Sequence, residues 1–491
     1  MLSPLLTLLL AAVAPADRTP TWSGQIAGLV HRHCSECHRP GEAAPFSLLE
    51  YRDVAKRARM LQLVMDDGYM PPWHPVEGHG DFVGTRGLSA EELAAFDAWV
   101  EAGCPEGEPD AVPEPPTFPV GWQLGEPDLV VEMEGAFPVP ERGPDIYRNF
   151  CLPLDIEQDR WIRAIEVRPG ARSVVHHVLF FYDDTGAARK ADAADEVPGY
   201  SGMGLDSSGG NSLGGWAVGA GPFALPGELA MRLPAGSDLV IQTHFHPSGK
   251  REEERTKIGI YFAEGPPPKE IVSLQLPPQY AAFHGLDVPP GEANYVLRDS
   301  MELPVDTELV SVGAHAHYIG KRMRAWAVLP GDEERPLFLI DDWDFNWQGR
   351  YVYDGVVELP AGTRLEVELV YDNSSDNPSN PFSPPQQITW GLESTDEMGA
   401  ITWITTAKDP ADTDSLRSAV RSKGREARRN RVRVRVDWYA RVMRLDENGD
   451  GELSAEEIPE QFRGAMRRID QNGDGALSAE ELQVLRRRGN D

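Results

Sequence analysis

Two histidines spaced by one residue, His315 and His317, stand in the run S-V-G-A-H-A-H-Y-I-G-K at 311–321. The run is apolar and β-prone, and side chains two apart leave a strand on the same face. Two imidazoles would then point at one spot, where a single metal ion would satisfy both. Core or cross-strand histidines would equally explain an isolated H-x-H. The company of the motif sharpens the reading. His176 and His177 are adjacent in S-V-V-H-H-V-L-F-F-Y, His244 lies in L-V-I-Q-T-H-F-H, and Met398 ends S-T-D-E-M. Adjacent residues of a regular strand face opposite ways, so His176 and His177 reach one ion only where the backbone bulges. His246, two on from His244, reads as a more exposed neighbour. His315, His317 and Met398 would make a soft donor set, suited to copper changing oxidation state rather than to zinc. A methionine packed in a core is the plain alternative for Met398.

A second chemistry lies near the N-terminus. Cys34, Cys37 and His38 form C-x-x-C-H, the spacing at which two thiols take up the vinyl groups of haem c and the next residue ligates iron. Met70, on the loop G-Y-M-P-P-W, is the candidate for the other axial position, where a thioether raises the reduction potential. A redox dithiol or half a zinc site would also use C-x-x-C; the immediate His38 and the lack of a βαβ pattern argue against both. His31, His33, His74 and His79 have no assigned role.

A third chemistry closes the chain. D-E-N-G-D-G-E-L-S-A-E-E from Asp446 and D-Q-N-G-D-G-A-L-S-A-E-E from Asp470 both fit the EF-hand loop. Side-chain oxygens for two calcium ions would come from Asp446, Asn448, Asp450 and Glu457, and from Asp470, Asn472, Asp474 and Glu481. Glu452 and Ala476 would ligate through backbone carbonyls. The spacer between the loops is short, so their packing could depart from an ordinary EF-hand pair.

These groups need scaffolds. At 491 residues the chain exceeds a single core and calls for about three domains. The net charge of −31 argues against nucleic acid as a partner. Met1 to Ala16 carries an apolar run and an A-P-A ending that fit a signal peptide, and no other segment is apolar over the ~20 residues a spanning helix needs. The four cysteines do not make a disulfide scaffold, although Cys104 and Cys151 could pair in an exported protein. Residues 22–108 read as helical, with helices over 23–34, 47–66 and 89–102, the last opened by Ser89 as N-cap and Glu92 three later. Residues 109–121 read as a Pro-rich linker. Beyond them come short alternating strands, among them 128–134, 160–168, 173–182, 238–245, 257–263, 308–317 and 364–371, the texture of β-sandwiches or jelly rolls. Leu233-Pro-Ala-Gly and Leu359-Pro-Ala-Gly echo each other, which implies two related domains, 122–265 and 266–408. A basic stretch at 409–436 reads as a solvated linker with a further use at anionic surfaces, and 437–491 as an EF-hand pair. The fold class expected is therefore multidomain and mostly β, with an N-terminal all-α domain and a C-terminal α EF-hand pair.

The pieces V-H-H-V-L-F-F, V-I-Q-T-H-F, A-H-A-H-Y-I-G-K and S-T-D-E-M resemble, in order and spacing, the copper type II ascorbate-dependent monooxygenases that hydroxylate peptidylglycine and dopamine. H-C-S-E-C-H-R-P-G, A-P-F-S-L and M-P-P-W-H resemble small cytochrome c domains fused to bacterial members. The resemblance implies two jelly rolls. It gives His176, His177 and His244 the electron-donating copper, and His315, His317 and Met398 the copper that meets O₂. The two sites would face each other across a wet cleft. Two departures set the chain apart: Gly313 stands where peptide-hydroxylating members anchor a substrate carboxylate with arginine, and Ala400 stands where they carry asparagine. A peptide ending in glycine is thus not the expected substrate. The expectation is an exported, periplasmic or extracellular copper monooxygenase with haem c. It would act on a small molecule with O₂ and draw electrons from ascorbate or a redox protein. Alternatives are a non-catalytic electron-transfer or copper-binding protein and a calcium-dependent surface-attachment protein.

Overall fold

The computed structural model describes residues 19–430, apart from 43, 120, 144, 202–211 and 218–220, together with 443–446, 448, 450–454, 457–458, 470, 472–478 and 481–482. The signal-peptide reading of Met1 to Ala16 lies outside these residues. The chain divides into two compact units: residues 1–73 with 84–118, and residues 74–83 with 119–491.

The first unit is helical among its described residues. Thr21 caps a turn at Trp22–Ile26 that runs into α1 (Ala27–His33); α2 (Tyr51–Ala55), α3 (Ala58–Asp66) and α4 (Ala90–Glu101) follow. The single helix expected over 47–66 is broken instead. Arg57 leaves helical geometry at φ −113°, ψ 1°, so α2 and α3 meet at an angle that buries Val54 and Leu61 in one core with Ile26, Phe96 and Trp99. Helix α4 begins as expected: the Ser89 side chain accepts from Glu92 N–H, and the Glu92 carboxylate accepts from Ser89 N–H. Such a capping box is worth about 1 kcal/mol.

The second unit is mostly β. Its first half contains β1 (Leu129–Glu132), β2 (Phe137–Val139), β3 (Ile146–Leu152), β4 (Arg160–Arg168), β5 (Val175–Asp183), β6 (Ser212–Ala217), β7 (Phe223–Ala224), β8 (Met231–Leu233), β9 (Asp238–Phe245), β10 (Glu252–Glu254) and β11 (Lys257–Phe262). One sheet runs β1-β11-β4-β7, with β8 also on β4, and a second runs β3-β9-β5-β6. Alternate residues of both sheets enter one core, among them Ile165 and Ile258 from the first and Phe150, Phe180 and Ile241 from the second.

The second half contains β12 (Ile271–Leu276), β13 (Asp287–Val288), β14 (Tyr295–Glu302), β15 (Thr307–Ala316), β16 (Gly320–Val328), β17 (Glu334–Ile340), β18 (Arg350–Leu359), β19 (Arg364–Tyr371), β20 (Ile388–Thr389) and β21 (Gly399–Ala407). Its sheets run β12-β21-β15-β18 and β14-β19-β16-β17. The two L-P-A-G repeats make the same turn. Gly236 and Gly362 sit at φ +74° and +81°, where a side chain would be strained. Ser237 N–H and Thr363 N–H each reach back to the proline carbonyl at 3.2 Å.

Two boundaries differ from the sequence reading. Residues 74–83, expected with the helices, extend the β unit: Val76 N–H bonds Leu339 O and Val83 N–H bonds Val352 O, both at 2.9 Å. Phe82 stacks on Tyr353 with ring centres 5.0 Å apart, which takes its apolar ring out of water. The basic linker is also corrected. Thr413–Arg429 is a helix, labelled α5 here, with Leu416 buried. Lys423 reaches Asp299 at 2.5 Å and Arg417 reaches Glu270 at 2.7 Å. Two of its cations thus pair with carboxylates of the second half. Residues 431–436 fall outside the described ones.

At the C-terminus β22 (Leu453–Ser454) pairs with β23 (Ala476–Leu477), joining the two calcium-type loops back to back. Leu453, Ile458, Leu477 and Leu482 form their core.

Candidate metal centres

The strand ladder around His176 carries the irregularity that the sequence demanded. Val175 pairs with Phe245 and His177 with His244, so His176 is an extra residue in β5 opposite no partner. The bulge turns two adjacent imidazoles toward one point. His176 Nδ1 lies 3.3 Å from His177 Nδ1, and His244 Nδ1 lies 3.4 Å from the same atom. Three nitrogens bound to one ion at 2.0–2.1 Å and near-tetrahedral angles would be separated by about 3.3–3.4 Å. The two separations to His177 match that spacing, and the ligand atoms of all three imidazoles lie within 4.8 Å of one another.

The environment of His176 and His177 disfavours their charged forms. Burial, then the charge of His244, pulls His176 down to about 4, and burial drives His177 well below the ordinary range. Neutral rings keep the lone pairs that a metal needs. Tyr147, opposite His244 in the β3–β9 ladder, stacks on its ring at 4.3 Å and 9°. Asp145 Oδ2 lies 2.9 Å from His244 Nε2, in contact but not aligned as a hydrogen bond. Asp145 Oδ1 takes His246 Nδ1 at 2.8 Å. His246 is largely exposed and stands behind Asp145, as its position suggested. Burial pushes the Asp145 carboxyl up, but His244, His246 and Ser394 outweigh it and hold it below the usual carboxylate range.

The second cluster is on β15 and β21. His315 pairs with Ala400 and Ala316 with Gly399 where the ladder ends, and beyond it the backbone N–H groups of His317 and Met398 share one acceptor, Glu397 Oε1. The rings of His315 and His317 are 5.3 Å apart and perpendicular. His315 Nδ1 bonds Gln348 Oε1 at 2.5 Å and His317 Nδ1 bonds Asp396 O at 3.1 Å. Both acceptors require the proton on Nδ1, which leaves each Nε2 with its lone pair. Burial lowers His315 and brings His317 down to about 3. Glu397 fixes the backbone: Oε1 accepts from His317 N–H at 2.6 Å and Met398 N–H at 2.8 Å, and Oε2 from Ile319 N–H at 3.2 Å. Burial nevertheless pushes its carboxyl up to about 8.

Phe345 lies near both clusters. Phe345 lies flat on His176 at 5.2 Å and edge-on to His317 at 5.9 Å. Ser394 donates to Asp145 and contacts Tyr147, so the loop before Met398 is tied to the first cluster. An aromatic ring thus neighbours one imidazole of each cluster. Asp145, Tyr147, Phe345, Gln348 and Glu397 were not foreseen. Glu397, next to Met398, was the one with a sequence signal.

In the helical unit Cys34, Cys37 and His38 occupy the turn that closes α1, with His38 N–H on Cys34 O at 2.9 Å. His38 Nδ1 bonds Phe46 O at 3.1 Å, and the two rings are 4.9 Å apart. The carbonyl takes the Nδ1 proton and leaves Nε2 free, the tautomer an iron ligand requires. Burial pushes the Cys34 thiol up to about 12 and raises Cys37. Met70 follows α3, anchored by its N–H on Val64 O at 2.8 Å. His31 and His33 are absorbed by packing: His31 bonds Leu49 O, and His33 bonds Arg86 O and Glu92. All four cysteines are free thiols, so Cys104 and Cys151 do not pair.

In the calcium-type loops Asp446 and Asp470 gather the N–H groups of Gly451 and Gly475, and Glu457 and Glu481 fold back onto Asn448 and Asn472. Glu452 N–H bonds Asp450 Oδ1 and Ala476 N–H bonds Asp474 Oδ1, both at 2.9 Å.

A family model described as EF hand matches residues 462–485. It covers the second loop and supports calcium as a ligand of the C-terminal segment. No curated protein matches the sequence. Among solved structures, the glycosylasparaginase PNGase F from Flavobacterium meningosepticum is 11% identical over 58% of this chain and 97% of its own, at TM-score 0.26. The major capsid protein P2 of bacteriophage PM2 is 9% identical over 57% and 97%, at 0.23. The Gx strain structure of infectious bursal disease virus is 10% identical over 59% and 70%, at 0.19. Likenesses at these scores carry no argument. No helix among the described residues is long and apolar enough to cross a membrane.

Proposed function

We propose that the β unit is a copper monooxygenase-like oxidoreductase of two jelly-roll domains. His176, His177 and His244 would hold one copper, and His315, His317 and Met398 the other. The observation that carries this reading is the convergence of three imidazoles, two from the bulged β5 and one from β9, with ligand nitrogens all within 4.8 Å of one another. Copper bound in these sites would supply one-electron chemistry and activation of O₂ for hydroxylation of a small molecule's C–H bond.

This chain's residues do the rest. Asp145 and Tyr147 orient His244, and the bulge orients His176 and His177. Gln348 and the Asp396 carbonyl fix the tautomers of His315 and His317, and Glu397 sets the spacing of His317 and Met398. Phe345 packs against one imidazole of each cluster. In the helical unit Cys34 and Cys37 would bind haem c, with His38 and Met70 as axial ligands, making it a cytochrome c domain that passes single electrons from ascorbate or a redox protein. The EF-hand pair would hold two calcium ions structurally. A periplasmic or extracellular setting would suit haem c attachment and constitutive calcium.

The test is metal analysis with haem staining of purified protein, followed by reductant-driven O₂ consumption over a panel of small molecules. Two copper ions per chain and substrate-dependent O₂ uptake are expected; a chain that takes up no copper sinks the reading. Phe345, which neighbours an imidazole of each cluster, favours one rival, a non-catalytic electron-transfer protein. Copper uptake and reduction without O₂ uptake for any substrate would select it.

A further inference from the structure

The turn after β12 has a strained backbone. Gln279, Tyr280 and Ala281 stand in succession at φ +51°, +51° and +65°. None is glycine. The other non-glycine residues at positive φ among those described, Cys104, Asp155 and Asp332, stand singly. In this left-handed region Cβ crowds the next carbonyl oxygen, so non-glycine residues visit it alone. A run of three persists only where its surroundings over-determine it.

Those surroundings come from several segments. Ala281 is fully buried. Tyr280 N–H donates to Gln275 Oε1 at 3.3 Å, and Tyr280 O accepts from Trp390 Nε1 at 2.9 Å. Helix α5 adds a further hold. Arg428 Nε donates to Gln279 Oε1 at 3.2 Å, and its guanidinium lies 5.9 Å from the centre of the Phe283 ring. One residue on, His284 Nε2 lies 3.4 Å from Asp299 Oδ2, and Asp299 Oδ1 accepts from Lys423 Nζ at 2.5 Å.

The side chain that this turn presents is Tyr280. Its ring forms a T-shaped pair with that of His315, 5.2 Å away at 77°. Trp390, which holds the Tyr280 carbonyl, pairs in an isolated bridge with Glu397, the carboxylate that fixes the backbone of His317 and Met398. The turn therefore meets both arms of the second cluster. Coupling between distant groups needs an element with two arrangements, and a left-handed run with a right-handed alternative is one.

We propose that this turn is a sprung brace for the second cluster. Tyr280 is a positioning residue that sets the ring of His315, and α5 latches the turn in its strained form. Release of the latch lets the turn relax and swings Tyr280 off the imidazole. That the braced ligand serves copper rests on the monooxygenase reading; the brace itself does not.

The experiment is NMR of the full chain, metal-free and isotope-labelled at histidine Cε1, with the His315 signal assigned by its loss in His315→Gln. Tyr280→Ala moves that signal, because the neighbouring ring current is gone, and Tyr280→Phe leaves it in place. The double variant Lys423→Ala with Arg428→Ala alters neither a ligand nor Tyr280. It moves the signal the same way and carries the test should Tyr280→Ala fail to fold. Copper titration reads the same variants: Tyr280→Ala and the double variant weaken the second site about tenfold and leave the first unchanged. A His315 signal unmoved by Tyr280→Ala or by the double variant overturns the proposal, as does equal movement in Tyr280→Phe. Shifted His315 signals in a chain that takes up no copper leave the brace standing and remove the copper reading. Copper uptake with an unmoved signal does the reverse.

Discussion

Ser394 donates to Asp145 Oδ2 across 3.0 Å, and Asp145 is also the carboxylate behind His244. One side chain thus serves the first histidine cluster while holding the loop that carries Met398. Asp145→Ala is expected to lower metal affinity at His176, His177 and His244 by about 10–100-fold, the range for losing a carboxylate behind a ligating histidine. Asp145→Asn should fall between. Titration with copper, followed by the stoichiometry of tight sites, checks this: the count drops from two to one.

Glu397 accepts three backbone N–H groups in a fully buried position. Glu397→Ala leaves all three without partners, at about 1–3 kcal/mol each before the backbone relaxes. A loss of at least 3 kcal/mol in denaturant unfolding is expected, with a clear fall in melting temperature. Glu397→Gln keeps one acceptor oxygen and should lose less.

Phe345 is buried against His176 and His317. Phe345→Ala removes a ring from a packed seam, and such truncations cost about 3–5 kcal/mol. Unfolding by urea with an unchanged slope would confirm a cavity rather than a looser denatured state.

Acid should loosen α5. Burial pushes the Asp299 carboxyl up, but His284 and Lys423 together bring it below its ordinary value. A carboxyl lowered by folding contributes stability above its unfolded value near 3.8, and that contribution is lost as pH falls through the folded value. Hydrogen exchange of α5 amides should therefore accelerate below about pH 4, and Asp299→Asn should show the faster exchange at neutral pH.

Calcium should stabilise the C-terminal segment. Glu481 holds the twelfth place of the second loop and folds back on Asn472. Glu481→Gln removes a bidentate ligand, so the calcium-induced rise in melting temperature should shrink markedly at low calcium.

Much of this site was legible because it obeys strand periodicity. His315 and His317 share a face as an i, i+2 pair must, and the adjacent His176 and His177 required a bulge that the ladder contains. Strand 238–245 appears with the bounds its alternation implied. What was hidden depended on contacts between distant segments. Asp145 has no motif and reaches His244 only when β3 and β9 pair. Phe345 belongs to a loop whose neighbours are set by packing of the two halves. The charge pattern of α5 looks like a solvated linker because its partners, Asp299 and Glu270, lie more than a hundred residues earlier.

The unpaired residue in β5 ties fold and chemistry together with opposite preferences. Deleting His176 would hand the strand a continuous ladder, and with it a firmer sheet, while leaving His177 and His244 paired without the third imidazole. A designer seeking only robustness would be drawn to that deletion, so sheet continuity and the three-imidazole cluster pull on this one residue in opposite directions.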